Sequence, residues 1–135
     1  MQEPSVPDAH LALALAKEGR ISGAEMLSRL AAGHVVVPTS EMPRLEGNTI
    51  TGWRPATLSR ADGSQWLAAF TTSKLASDFC DAEPTYGFYV EVSTRWLLAT
   101  LPEGYGIVFN LRTPFQLDWN PQGLAKYRRD VLGSV

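Results

Sequence analysis

The chain has 135 residues, 44% of them apolar and 19% charged, with a formal net charge of −2. That length and composition suit one packed domain and argue against a disordered segment. Basic and acidic residues are interspersed, so the chain lacks the basic excess of a nucleic-acid binder, and its single cysteine excludes a disulfide framework or a multi-cysteine zinc site.

Pro4 and Pro7 mark residues 1–8 as a leader, and Asp8 caps a first helix predicted over Ala9–Glu18. Ser22 and Glu25 have the spacing of a capping box, with Ile21 and Met26 placed as a hydrophobic staple. Met26, Leu27, Leu30 and Ala31 then form an apolar stripe that Gly33 ends. Val35-Val36-Val37 reads as a buried strand terminated by Pro38. Residues Thr39–Gly47 read as loop, with weak strands at Asn48–Arg54 and Ala56–Arg60.

Asp62-Gly63 predicts a hairpin turn into a strand over Gln65–Thr71, and Thr72 or Ser73 caps a helix to about Phe79. After a polar break at Asp81–Pro84, Phe88, Val90 and Val92 alternate as one face of a strand. Ser93 opens a helix over Thr94–Leu101, and Tyr105–Leu111 is apolar on both faces, as a central strand is. Phe115, Leu117 and Trp119 alternate with polar residues, and Asn120-Pro121 starts a last helix reaching Leu132. The order predicts an α/β (α+β) domain over residues 9–135: a mixed sheet with helices packed on it and a helical pair at the N-terminus.

This succession resembles the SseB N-terminal domain family, bacterial domains found alone or ahead of a second domain. The resemblance rests on Leu27 and Leu30 before Val35-Val36-Val37-Pro38, then Asp62-Gly63, Leu67, Phe70-Thr71-Thr72-Ser73 and Ala76. It continues through Trp96-Leu97-Leu98, Gly104, Ile107-Val108-Phe109-Asn110 and Phe115, Leu117, Pro121, Gly123-Leu124. Similar members often carry proline after the asparagine of the glycine-led strand, where this chain has Leu111. The family name is tied to enhanced serine sensitivity and to type III secretion, and the resemblance implies the fold without supplying catalytic residues.

Chemistry is sparse along the chain. Carboxylates at Asp78, Asp81 and Glu83 disfavour a thiolate at Cys80, which reads as a half-buried packing residue. His10 and His34 lack metal-ligand spacing and read as edge residues. Gly104-Tyr105-Gly106 precedes a strand, whereas a phosphate cradle opens a helix, so no cofactor is expected. Lys126, Arg128 and Arg129 suit a helix C-terminus.

Tryptophan beside arginine is the more suggestive signal, because these residue types anchor protein interfaces. Trp66, Trp96 and Trp119 are expected in the core, while Trp53 has polar neighbours. Trp53, Arg54, Asn110 and Arg112 are therefore the candidate partner-binding residues of a non-catalytic interaction domain. Its partner would be a cognate protein, met as an adaptor, chaperone-like or immunity-type contact. Two other readings stand beside it: a regulatory domain for an amino-acid-related small molecule, and an enzyme with dispersed catalytic residues. A strand with one apolar face and a free edge also allows a homodimer. With no apolar run long enough to span a bilayer and no basic-then-apolar start, a cytoplasmic protein is expected, without contact to membrane or nucleic acid.

Overall fold

The computed structural model describes residues 8–42, 44–46 and 49–129. Most of the predicted leader, Gly47, and the end of the last helix to Leu132 and Gly133 lie outside them. The elements run α1 (Asp8–Lys17), α2 (Gly23–Ala32), β1 (His34–Thr39), β2 (Arg44–Glu46), β3 (Thr49–Thr51), β4 (Thr57–Ser59) and β5 (Gln65–Ala69). They continue α3 (Ser73–Ala82), β6 (Phe88–Ser93), α4 (Thr94–Thr100), β7 (Tyr105–Phe109), β8 (Leu117–Trp119) and α5 (Pro121–Tyr127).

One ladder runs β4-β5-β7-β8, with β5 and β7 parallel and the outer pairs antiparallel. A second joins β1 and β6 antiparallel, and β2-β3 is a separate hairpin. Val36 and Phe70 exchange backbone hydrogen bonds of 2.7 and 2.8 Å, so β1 lies beside the end of β5 and the two main ladders continue into each other.

The two sheet faces are covered unequally. Val35, Val37, Leu67, Ala69, Ile107 and Phe109 meet buried residues of α1, α2, α4 and α5, among them Leu13, Leu30, Leu97 and Leu124. Val36, Ala68 and Phe70 point to the opposite face, where α3 packs Ala76 with Leu75 and Phe79. Beyond α3 that face closes on itself: Trp66 lies over Gly106, and the Arg60 guanidinium sits 4.0 Å from the Trp66 ring centre.

Local capping explains most helix starts. Ser22, Thr72, Ser93 and Asn120 each accept a backbone N–H from the third residue on, which offsets the orphan donors of α2, α3, α4 and α5. The Asp62-Gly63 turn forms as predicted, with Gly63 at φ 86°.

Several expectations need correcting. Glu25 does not close the capping box; its carboxylate instead takes Arg29 at 2.8 Å, one helical turn on. Pro38 does not end β1. Its carbonyl accepts Ala56 N–H at 2.8 Å where β1 passes from Phe70 to the residues before β4, so its missing donor interrupts no bond there. The predicted loop over 39–47 contains β2, α3 runs on to Ala82, and Phe115 lies outside β8.

Candidate functional site

In open α/β sheets, ligands gather at the carboxyl ends of parallel strands. Here that end is filled. Thr71 follows β5 and Asn110 follows β7, and both are buried. Thr71 N–H donates to Asn110 Oδ1 at 2.9 Å, which directs the amide nitrogen back to Thr71 Oγ1, also at 2.9 Å.

α1 closes the same place from outside. His10 Nδ1 lies 2.7 Å from Thr71 Oγ1, and the His10 ring meets Phe115 edge-on at 4.8 Å. Burial lowers the His10 pKa below the ordinary histidine value. His10 is partly buried, an edge residue as expected, and its contacts close this end of the sheet. Asn110 and Arg112 both adopt left-handed backbone, at φ 57° and 64°, and Asn110 O accepts from Thr113 N and Oγ1 at 3.1 and 2.7 Å. That tight turn carries Phe115 back over His10.

The amino end of the same strands is open. A cleft of about 410 Å³ lies between Trp53, Trp96, Tyr105, Leu67, Leu101 and Pro102. The Trp53 and Trp96 rings are 5.9 Å apart and tilted by 47°. Trp53 is held there through its neighbour: Arg54 N–H donates to the buried Thr39 Oγ1 at 2.8 Å, and Ser40 N–H donates to Arg54 O at 2.9 Å. The Arg54 side chain is exposed and paired with Glu41 at 3.1 Å. Tyr105 is the one titratable residue among those lining the cleft. A larger groove of about 550 Å³ runs along α5, from Tyr105 past Leu124 to Arg129, the last described residue.

The four candidate residues thus do not form one surface. Trp53 and Arg54 stand at the amino end of β7 and Asn110 and Arg112 beyond its carboxyl end, roughly 15 Å apart along a strand of this length. Asn110 is 0% exposed, so it cannot meet a partner; its amide is used inside the fold. Arg112 is exposed and its guanidinium holds Glu83 at 2.8 Å, tying the turn to α3. Trp96, expected in the core, is half-buried and forms the second wall of the cleft, while Trp66 and Trp119 are buried as expected. Sequence spacing gave no sign of the Trp53–Trp96 pairing, since the residues are distant in the chain and joined only by packing.

Cys80 is half-buried, and burial first and the Asp81 charge second push its thiol pKa up, which keeps it protonated. Among the described residues no three His, Cys, Asp or Glu side chains converge on a point that could hold a metal ion. Among them also, no helix is long and apolar enough to cross a membrane. The family model of the SseB protein N-terminal domain matches residues 8–126. No curated protein and no solved structure matches the chain.

Proposed function

Because the chain belongs to the SseB protein N-terminal domain family, we propose that it is a non-catalytic interaction domain whose cleft receives an apolar side chain of a protein partner. The observation behind this reading is the lining of the cleft, two facing indoles and a tyrosine with no carboxylate, histidine or cysteine among the described residues that line it. Aromatic walls bind by desolvation, and acid–base or nucleophilic chemistry needs perturbed ionisable groups that this lining does not offer. The exposed Arg54–Glu41 pair, next in sequence to Trp53 but outside the cleft lining, suits an acidic residue flanking the inserted side chain, since Arg54 can exchange one carboxylate for another. A partner met within the cytoplasm is the setting consistent with this reading.

The test compares capture from source lysate on immobilised wild type and Trp53→Ala under a high-salt wash, which screens loose charge contacts. A stoichiometric protein held by wild type and lost from Trp53→Ala supports the reading. A partner held equally by both removes the cleft from it, and an empty wild-type resin removes the reading itself.

The cleft volume favours one second reading. About 410 Å³ is in the range of small-ligand pockets, so a regulatory domain for an amino-acid-related molecule is the alternative. A ligand held only by the native fold raises its melting temperature, and a flat response across an amino-acid panel would exclude that alternative.

A further inference from the structure

The outer edge of β6 stands apart from the residues that line the cleft. The direction of its backbone groups follows from β1. Val36 exchanges hydrogen bonds with Phe70, Pro38 O accepts from Ala56, and Ser40 N–H donates to Arg54 O. Even-numbered residues of β1 therefore face β4 and β5, and the alternation of an antiparallel ladder turns Val35, Val37 and Thr39 toward β6. Their partners are Val92, Val90 and Phe88. Tyr89 and Glu91, in between, direct their N–H and C=O groups away from the sheet, and among the described residues β1 is the one strand paired with β6.

Protein edges of this length are ordinarily blunted by lysine, proline, a bulge or a covering loop. Phe88–Ser93 contains none of these residues and a single charge, Glu91. Phe88 and Tyr89 are 39% and 46% exposed, two of the four exposed large hydrophobic residues among those described. At the other end of the joined ladders, β8 has only three residues, and its Asp118 is held by Arg60 at 2.7 Å.

We infer that β6 pairs antiparallel with β6 of a second copy of this chain, about a two-fold axis through Val90. The outward groups of Tyr89 and Glu91 select this register. With Val90 opposite Val90, each Tyr89 faces the second copy's Glu91, and both residues meet partners pointing back at them. Moving the axis to Glu91 would set two carboxylates face to face, which costs stability. Moving it to Tyr89 would need Gly87, which lies outside the strand. A second copy fits better than an unrelated acidic or basic strand, because the sequence about Val90 is apolar on both sides, Phe88 against Val92, and its one charge meets a tyrosine.

Sedimentation of the full chain across concentration tests this. Wild type is expected to form a dimer. Glu91→Pro removes an outward N–H and leaves the β1 ladder whole, since that N–H does not point to β1. It should raise the dimer dissociation constant about tenfold or more, with unchanged circular dichroism. Trp53→Ala should leave the dimer intact, which separates this surface from the cleft. In a Cys80→Ser background, Val90→Cys should cross-link two chains on oxidation, because the facing residues are a close non-hydrogen-bonded pair of about 4.5 Å between Cα atoms. A monomeric wild type at every concentration overturns the inference. So does a dimer that persists in a folded Glu91→Pro variant. If Glu91→Pro fails to fold, the cross-link decides alone, and a dimer that Val90→Cys does not cross-link rejects the register.

Discussion

Asn110 and Thr71 clasp the ends of two parallel strands, and the clasp is reciprocal: each residue both donates to and accepts from the other at 2.9 Å. Neither residue has exposed surface to offer a solvent replacement. Removing the amide strands a buried N–H, and any β-carbon-bearing replacement other than asparagine or aspartate is poorly suited to φ 57°. Asn110→Ala should cost about 2–4 kcal/mol in chemical denaturation. Asn110→Gly should cost about 1 kcal/mol less, because glycine accepts that backbone angle. Equal losses would mean that the angle contributes nothing.

His10 should give the fold a dependence on pH. Its folded-state pKa is lowered by burial, so between that value and the ordinary one, about 6.5, the unfolded chain binds more protons. The stability it contributes is present above pH about 6.5 and is lost as pH falls through the folded value. The contact with Thr71 survives in either state, since Nδ1 can accept the hydroxyl proton or donate one to Oγ1, so the effect comes from desolvation. The stability difference between wild type and His10→Gln should shrink on going from neutral to mildly acidic pH. A difference that stays constant would show that His10 does not titrate differently in the fold.

Two glycines should respond to alanine for different reasons. Gly63 has open space around its missing side chain but φ 86°, so Gly63→Ala should cost about 1–2 kcal/mol through backbone strain alone. At Gly106 the added carbon would lie 2.6 Å from the Trp66 ring, which is fastened by Ser64 at 2.7 Å and covered by Arg60. Gly106→Ala should cost about 1–3 kcal/mol and should alter the near-ultraviolet circular dichroism of tryptophan, which Gly63→Ala should leave alone.

Cys80 should alkylate slowly at neutral pH. With its thiol pKa raised by burial and by Asp81, the modification rate should climb only above the ordinary thiol range. Asp81→Asn should move that climb to lower pH. A rate already maximal near neutrality would contradict the raised pKa.

Much of the fold was legible one segment at a time. Serine, threonine or asparagine before an apolar stripe located the starts of α2, α3, α4 and α5, because capping is satisfied within three residues. The central position of β7 followed from residues apolar on both faces. Pro38 was misread because a proline's cost depends on whether a partner strand needs its N–H, and that strand lies elsewhere in the chain.

The candidate site was legible only in part. Trp53 and Arg54 stand out beside polar neighbours, yet Asn110 looks equally available in the sequence and is buried. Asn110 meets Thr71 across 39 positions and Thr71 meets His10 across 61, and neither separation leaves a periodic trace. Local chemistry (caps, turns and alternation) was enough to divide this chain into its helices and strands, since each of those bonds closes within a few residues. Which strand ends would be sealed and which would open into an aromatic cleft depended on the parallel pairing of β5 with β7 and on where α1 docks. Those contacts arise from burial of whole faces against one another, and no short stretch of residues contains them.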